Sequence, residues 1–514
     1  MELFVVLLSC IAWTFASPLQ QPLRSGKELD WASADCHSGT GGNGHKTICI
    51  QQVWDPVIDS EINGAPVINQ FCGYMNVTND PIPVQLFFWV VMSETDATKD
   101  PVVLWMNGRP GSSSLYGLLS QWGPSLINYP SRPSVIFRTN PIRMAEKLTW
   151  VYLEQPSEVG YSTGRKNVDK STTAAIDIST FISILFLPST IFNFNEAQLS
   201  LAGRDLHVAG ESYAGHWIPA LGSYLVKKSK LGSINLKSFM VGNAWTDAAL
   251  VGDSINKLLC GPTPLVLPEA SPADIASNCS HMPQWIKTCT SEITQCREKL
   301  IPCNHIVEKC YNSWGTSWAV KFNRNSYDVQ IPRKDLDDNR GFLNTEFTAF
   351  MNVAERKERF HVPQNIIWKP HNSDMRDRFL LSGDYVQSYI PEVQDILNAG
   401  IDFFFYAGDQ DLICPFTLVK ETALRTVWNE TDTLLGNKTA KFRKCAGRGE
   451  TTYKKISSPA SPDYASYIRA GHLTYARIFG AGHMVNEKKP AEAKHMFESW
   501  IFDRGLFQEC DPGP

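Results

Sequence analysis

One serine lies in a setting that suits a nucleophile. Ser212 stands in the segment Gly-Glu-Ser-Tyr-Ala-Gly at 210–215, after an apolar run and before a helical pattern. A nucleophile elbow needs a sharp strand-to-helix turn, with small neighbours that let strand and helix approach each other. The Gly-x-Ser-x-Gly pattern is incomplete here, because Ala214 occupies the second glycine position. Since a serine between glycines is by itself usually only a turn, the assignment needs support from other residues.

Two residues further along the chain supply that support. Asp411 and His483 each follow an apolar run, and the order Ser, Asp, His is that of the α/β-hydrolases. His483 can take the serine proton as general base, while Asp411 can fix the imidazole tautomer and stabilise its charged form. Each residue alone has a structural alternative, a loop histidine or a helix cap. Together and in this order, they predict a catalytic triad.

These residues need a sheet that brings them to one edge. Short, nearly continuous apolar runs that end in Gly, Asn or Asp predict buried parallel strands. The runs are Val102–Met106, Leu148–Leu153, Leu206–Ala209, Phe239–Val241, Ile401–Tyr406 and Tyr475–Phe479. Helical patterns such as Ile176–Leu187 and Trp217–Lys228 lie between them. The alternation predicts an open sheet covered by helices, with ligands bound at the carboxyl ends of its strands.

Residues from about 250 to 375 depart from this alternation. They contain several prolines, short charged helical stretches and six of the 13 cysteines, at positions 260, 279, 289, 296, 303 and 310. The segment has no close Cys-x-x-Cys pair, so disulfides are favoured over a metal site. We expect an insertion over the sheet rather than a second independent domain.

The chain begins with a segment typical of secretion. Residues 1–16 carry a short apolar region followed by small residues, and cleavage is expected after Ala16. The absence of Lys and Arg before the apolar region is atypical, and a buried N-terminal helix is the alternative. We therefore expect a secreted protein, or else a vacuolar one. Four N-glycosylation sequons agree with this route, at Asn76, Asn278, Asn429 and Asn437.

Charge and hydropathy exclude other classes of partner. A net charge of −4 gives no reason to expect nucleic acid or an anionic membrane surface. After the first segment, no run approaches the ~18 apolar residues that a membrane span needs. The sequence gives no indication of oligomeric state.

At the motifs, the chain resembles the serine carboxypeptidases, including secreted fungal ones. The similar segments are Gly-Glu-Ser-Tyr-Ala-Gly-His at 210–216, Tyr-Ala-Gly-Asp-Gln-Asp-Leu-Ile-Cys at 406–414, Gly-Ala-Gly-His-Met-Val at 480–485 and the loop 107–114. The similarity runs from about Phe71 to Trp500. It implies an α/β-hydrolase domain over 17–514, with a mostly parallel central sheet flanked by helices and a disulfide-rich helical insertion.

The resemblance also implies a reaction. Ser212 would attack the last peptide bond of a peptide or protein C-terminus, and water would hydrolyse the acyl-enzyme, with no cofactor or metal. The backbone N–H groups of Tyr213 and Arg109 would bind the oxyanion. Asn107 and a protonated Glu211 would bind the substrate carboxylate, which explains a preference for acidic pH.

The family's nested cysteine pattern implies three disulfides. They are Cys260–Cys279, Cys289–Cys310 and Cys296–Cys303. Cys414 resembles a family cysteine beside the active site that can be a free thiol. Pairing of the other cysteines stays open, at positions 36, 49, 72, 445 and 510.

Several positions near the site depart from the family pattern. Arg109 stands where the family has Gly, and Gln121 where it usually has a Glu that helps to bind the carboxylate. A neutral amide donates at any pH, so we expect a weaker acid preference than is usual. Glu154, Glu158 and Asn486 replace an Asp, a Gly and a Pro.

Two alternatives to the peptidase therefore remain. One is an acyltransferase, in which an alcohol or amine intercepts the same acyl-enzyme. The other is a catalytically impaired secreted protein that acts in binding, an alternative favoured by Arg109.

Overall fold

The structure, a computed structural model, describes most of the chain. The described residues are 35–40, 45–53, 68–77, 84–128, 136–165, 167–194, 197–232, 234–262, 271–303, 321–333, 342–429, 431–432, 436–449, 454–458 and 461–511, with isolated positions at 265, 306, 309, 310 and 319. The predicted signal segment 1–16 lies outside them.

The strands are short and are distributed along the whole described chain. They are β1 (Asp35–Thr40), β2 (His45–Val53), β3 (Gln70–Val77), β4 (Val84–Val91), β5 (Val102–Met106), β6 (Ser125–Asn128), β7 (Ile136–Thr139), β8 (Thr149–Leu153), β9 (Phe192–Phe194), β10 (Ala197–Leu199), β11 (Asp205–Glu211), β12 (Asn235–Gly242), β13 (Asp402–Gly408), β14 (Thr431–Asp432), β15 (Gly436–Asn437), β16 (Lys454–Ser458), β17 (Ser461–Ala470) and β18 (Leu473–Ile478).

Helices fill the intervals between strands. They are α1 (Leu115–Gly117), α2 (Ser171–Leu185), α3 (Ala214–Lys227), α4 (Val251–Cys260), α5 (Pro272–Arg297), α6 (Phe342–Met351), α7 (Ala354–Arg359), α8 (Ser373–Leu381), α9 (Ile390–Asn398), α10 (Phe416–Arg425), α11 (Lys438–Gly447), α12 (Val485–Lys488) and α13 (Pro490–Phe502). Single helical turns of other types cover Leu118–Trp122, Met144–Glu146, Ala248–Leu250, Asp384–Val386 and Arg504–Leu506.

One large mixed sheet organises the chain. Its strand order is β1-β2-β3-β4-β8-β5-β11-β12-β13-β18-β17-β16. The block from β8 to β18 pairs in parallel, whereas the strands at both edges pair antiparallel. The parallel block consists of the apolar runs singled out in the sequence, so the prediction of buried parallel strands is confirmed. With helices on its faces, this is the α/β-hydrolase fold.

Alternation along the strands divides the core between the two faces of the sheet. On β5, Val102, Leu104 and Met106 join one apolar core, which also contains residues of α2 and α3. Val103 and Trp105 point the other way, into a second core that includes Trp500 of α13. Because both faces are covered, every residue of β5 is apolar and buried.

Between β12 and β13 the described residues are mainly helical. Helices α4 to α9 occupy this interval, and α4 packs against α5 while α9 packs against α3. Helix α7 covers the predicted charged helical stretch at 355–359. The predicted boundaries of the insertion, 250 and 375, remain a prediction, because helices follow each other through the whole interval. Within the described ranges, no helix combines the length and apolarity that crossing a bilayer requires.

Candidate active site

The carboxyl ends of β11, β13 and β18 bring the predicted triad to one edge of the sheet. Ser212 lies between β11 and α3 with φ of 65°, in the left-handed region. This conformation costs a serine about 1 kcal/mol. Backbone hydrogen bonds hold the turn: the Ser212 N–H donates to Gly242 O at 2.9 Å, and the Ser212 carbonyl accepts from Gly215 and Trp245. The turn has the strained strand-to-helix geometry that a nucleophile elbow needs.

Glycines let the backbone segments around the elbow touch. A Cβ on Gly210 would come within 2.3 Å of Met106 O and 2.7 Å of Ala214 Cβ. A Cβ on Gly108 would lie 2.3 Å from the Tyr213 nitrogen. The loop after β5 therefore packs directly against the nucleophile turn.

Asp411 and His483 form a buried pair. His483 Nδ1 lies 2.6 Å from Asp411 Oδ2, and both side chains are almost fully buried. Asp411 also accepts from the N–H groups of Ile413 and Cys414, at 2.8 and 3.1 Å. The backbone N–H of His483 donates to the backbone carbonyl of Tyr327 at 2.7 Å, and the Tyr327 ring packs edge-on against the imidazole. With Nδ1 engaged, Nε2 is the nitrogen that remains for proton transfer.

Asn243 is a site residue that sequence reasoning missed. Its Nδ2 donates to Asp411 Oδ2 at 2.9 Å, and its Oδ1 accepts from Gly408 N–H at 3.0 Å. Asn243 thus ties the end of β12 to the acid of the triad. An Asn after an apolar run, at the edge that carries the other polar groups, was the available signal.

Ser212 and His483 line one cleft of about 440 Å³. Among the described residues no hydrogen bond joins the two side chains, and such bonds are often long before substrate binds. Cys414 also lines the cleft, as a free and buried thiol beside Ser212. Burial raises the thiol pKa well above its ordinary value.

The two predicted oxyanion donors lie on neighbouring backbone segments. Among the described residues, neither the Tyr213 nor the Arg109 N–H donates a hydrogen bond, so both are available to a ligand. Arg109 has φ of 92°, a conformation that favours glycine and costs arginine on the order of 1 kcal/mol. The Tyr213 side chain is anchored below the elbow, where its hydroxyl donates to Asp384 Oδ2 at 2.8 Å.

Three residues predicted to bind the substrate carboxylate form one hydrogen-bonded group. Glu211 Oε1 accepts from Asn107 Nδ2 at 2.8 Å and from Gln121 Nε2 at 3.0 Å. Trp105 Nε1 in turn donates to Asn107 Oδ1 at 2.8 Å. Asn107 and Glu211 line the cleft, whereas Gln121 reaches it through Glu211. Asn486 donates to Gln121 O at 2.5 Å, which fixes the segment that carries Gln121.

Two other departures from the family pattern lie just behind the cleft. Glu154, fully buried at the end of β8, accepts from Ser113 Oγ, Tyr161 N–H and Trp368 Nε1. Burial raises its pKa to about 7, against the lowering effect of these donors. Glu158 has φ of 77° and pairs with Arg378 at 2.8 Å.

Among the described residues, one group of potential metal ligands lies at this edge. Ligand atoms of Asp411, Cys414 and His483 lie within 4.8 Å of one another. Asp411 and His483 already engage each other, and the thiol with its raised pKa holds its proton. The contact between His483 and Asp411 accounts for two members of the group.

Cysteines implied to pair by the resemblance are joined in the structure. The bridges are Cys260–Cys279, Cys289–Cys310 and Cys296–Cys303. Cys445 pairs with Cys510, Cys49 is also disulfide-bonded, and Cys72 and Cys414 are free.

The sequon asparagines occupy different environments. Asn429 and Asn437 are exposed, and Asn437 Oδ1 caps α11 by accepting from Ala440 N–H at 3.1 Å. Asn76 accepts from Gln85 Nε2 at 2.9 Å. Asn278 lies within α5 and donates to Asp274 O at 2.9 Å. Asn429 is therefore the exposed sequon asparagine whose side chain makes no hydrogen bond with the described residues, so a glycan could be attached there without breaking a contact.

Comparison with known proteins agrees with this geometry. The family model described as serine carboxypeptidase matches residues 60–503. Carboxypeptidase Y of Saccharomyces cerevisiae is 30% identical over 469 residues, which cover 88% of this chain and 78% of the relative. A vacuolar serine-type carboxypeptidase of the same yeast is 27% identical over 456 residues, covering 88% and 83%.

A solved structure shows the same fold. The prohormone-processing carboxypeptidase Kex1 of Saccharomyces cerevisiae superposes with a TM-score of 0.67 at 16% identity, covering 88% of this chain and 96% of that one. The resemblance drawn from the motifs is thus confirmed. The chain belongs to the serine carboxypeptidase family.

Proposed function

We propose that this protein releases the C-terminal residue from peptides through an acyl-enzyme on Ser212. The proposal is carried by one observation: Ser212, the Asp411-bound His483, and the Asn107–Glu211 group line the same cleft. A peptide bond can then meet the nucleophile while the free carboxylate beyond it meets the amide and carboxyl groups.

In the first half of the reaction, side chains and backbone groups of the cleft form the acyl-enzyme. Ser212 Oγ attacks the scissile carbonyl carbon as His483 Nε2 takes the hydroxyl proton, and Asp411 stabilises the resulting imidazolium. The free N–H groups of Tyr213 and Arg109 bind the oxyanion. When the carbon–nitrogen bond breaks, His483 gives the proton to the leaving amine, and the acyl group stays on Ser212.

Water completes the cycle. It loses a proton to His483 and attacks the ester, and the proton returns to Ser212 Oγ as the acid product leaves. The cleft has to hold the substrate carboxylate through the first half only. Asn107 offers a neutral donor for it, and a protonated Glu211 carboxyl group offers a second.

A labelling experiment separates this function from its alternatives. Purified protein and Ser212→Ala are treated with a fluorophosphonate, and each is given a blocked dipeptide as free acid and as C-terminal amide. We expect labelling of the wild type alone and release of the terminal residue from the acid but not the amide. Labelling without hydrolysis would indicate acyl transfer or another ester substrate. No labelling would support an impaired protein that acts in binding.

Passage through the secretory route forms part of the proposal. The apolar segment 1–16, the disulfides and the exposed sequon Asn429 support it. N-terminal sequencing of the mature protein should begin at Ser17, and glycosidase treatment should lower its mass. A mature protein that retains Met1 and carries no glycan would contradict this route, and microscopy would distinguish a vacuole from the medium.

A further inference from the structure

Two arginine side chains line the cleft without an acidic partner among the residues that the structure describes. Arg109 is exposed and Arg376, on α8, is half-buried, and both border the space in front of Ser212. Neither makes an ion pair or side-chain hydrogen bond with any described residue. Arg378, on the same helix, differs because it pairs with Glu158 at 2.8 Å. The two cleft arginines therefore leave their charge available to a ligand.

Both charges act on the same part of the cleft. Burial raises the pKa of Tyr385, and the charges of Arg376 and Arg109 each oppose that rise. The Tyr385 ring packs 5.2 Å from Tyr213 and 5.1 Å from Trp245, beside the elbow. Both guanidinium groups therefore lie close enough to act on Tyr385, beside the elbow.

Among the described residues, the other ionisable groups that line the cleft do not pair with the two arginines. Glu211 is held by the amides of Asn107 and Gln121 at the carboxylate end. His483 engages Asp411, and His371 Nδ1 lies 3.0 Å from Ser112 Oγ. Glu211 is the only carboxylate among the described residues that line the cleft. An anionic side chain of the substrate would complement the two arginines.

The backbone of Arg109 gives independent support. Its φ of 92° is a conformation in which glycine is free and arginine is strained. Strained residues at a site are held there by their surroundings and cluster where function uses them. A charge presented into the substrate cleft is a use that glycine could not provide.

We propose that Arg109 and Arg376 make the cleft selective for peptides with an acidic side chain, Asp or Glu, at a residue flanking the scissile bond. This inference rests on the peptidase function proposed above and narrows its substrate class. The two guanidinium groups would determine specificity, since they contact the substrate side chain, while the backbone N–H of Arg109 keeps its separate proposed role as an oxyanion donor.

Isosteric peptide pairs test the charge alone. Blocked dipeptides that differ only as Glu or Gln, first at the penultimate and then at the terminal position, are compared at pH ~6.5, where the Glu side chain is ionised. We expect kcat/KM for Glu to exceed that for Gln about tenfold in one pair. The preference should shrink at high salt, because the charges are partly exposed.

Variants identify the residues responsible. Arg109→Gln and Arg376→Gln should each lower the Glu-to-Gln ratio, and Arg109→Lys should largely keep it. Arg378→Gln is the matched control and should leave the ratio unchanged. Because the Glu-to-Gln ratio compares two peptides on the same variant, any effect of the substitution on the oxyanion donor at position 109 cancels. A wild-type ratio near one in both pairs, or a ratio that neither substitution lowers, would overturn the inference.

Binding separates this inference from the proposed activity. Calorimetric titration of Ser212→Ala with the same peptides needs no hydrolysis and should show tighter binding of the Glu member. If the wild type cleaves no peptide but this preference persists, the peptidase function fails and charge selection stands. Equal affinities for Glu and Gln peptides would refute charge selection, whatever the activity.

Discussion

At the residue scale, the proposed function requires Glu211 to face a substrate carboxylate without repelling it. The structure gives its Oε1 two neutral donors, Asn107 and Gln121. Neither amide changes its charge with pH, so their support persists across the working range. A Glu at position 121 would behave differently, since two carboxylates 3.0 Å apart cannot both ionise without strong repulsion.

Gln121→Glu should therefore make activity more dependent on acid. The paired carboxyls would share a proton while the pH is low and lose it as the pH rises through the raised pKa, so substrate binding would weaken. We expect kcat/KM of the variant to match the wild type near pH ~4 and to fall about tenfold below it by pH ~7. Fluorophosphonate labelling, which needs no carboxylate site, is the control. Parallel pH profiles for the two proteins would contradict the role of Gln121.

Asn243 acts on the triad through Asp411 and does not line the cleft. Asn243→Ala removes its donor to Asp411 Oδ2, so orientation of His483 should suffer while substrate binding is retained. We expect kcat to fall about tenfold or more with KM nearly unchanged, because the loss is felt in the transition state. Steady-state kinetics below the unfolding temperature measures this. A raised KM with normal kcat would place Asn243 in substrate binding instead.

The sequence was enough to select the three candidate triad residues, but it did not show which side chains hold them. Ser212, Asp411 and His483 each follow an apolar run, and their order carries information. Asn243 also follows an apolar run, but nothing local in the sequence shows that it contacts Asp411. Arg376 has no such signature, because its position in the cleft depends on how distant segments meet. Arg376 reaches the cleft only through the tertiary packing of α8, which the sequence does not reveal.

At the scale of elements, Glu154 joins the end of β8 to two other segments. Donors from Ser113, Tyr161 and Trp368 converge on its buried carboxyl group. Its pKa of about 7, raised by burial from 4.5, means that the folded protein keeps a proton that the unfolded chain releases. The stabilising contribution of this proton is complete below pH about 4.5 and is lost as pH rises through about 7.

Glu154→Gln should flatten the dependence of stability on pH. Between those two pH values the wild type should lose about 3 kcal/mol of unfolding free energy that the variant does not lose. Any pH-independent cost of the substitution cancels, because the slopes are compared. Urea unfolding at a series of pH values measures the difference. Identical slopes would show that Glu154 is ionised in the folded protein.

The parallel strands were predictable, and the antiparallel edges were not. The central strands are buried on both faces, so they stand out as apolar runs, as β13 does. Strand β16 alternates buried and exposed positions, and its five residues include two lysines. Such a strand is defined by its pairing with β17 more than by its own composition.

At the scale of the whole molecule, disulfides close loops of very different length. Cys445–Cys510 spans 65 residues and ties α11 to the segment after α13, whereas Cys296–Cys303 spans 7. Cross-links stabilise mainly by restricting the unfolded chain, more so for longer loops. The first bridge escaped prediction because its cysteines lie far apart in the sequence and follow no local pattern.

Removing the long bridge, Cys445–Cys510, should lower the free energy of unfolding more than removing the short one, Cys296–Cys303. Replacing both cysteines by alanine should lower the unfolding free energy by about 4 kcal/mol for Cys445–Cys510 and about 2 kcal/mol for Cys296–Cys303. Guanidinium unfolding of the two double variants compares them directly. The reverse order of losses would mean that strain or residual structure outweighs chain entropy here.

The proposed function makes Ser212 the nucleophile of a C-terminal peptidase. The most direct test compares kcat/KM of the wild type and Ser212→Ala for release of the last residue from a blocked dipeptide. The alanine variant should keep the fold and the carboxylate site while activity falls by a factor of about 10⁴ or more. Activity of the variant within tenfold of the wild type would contradict the claim.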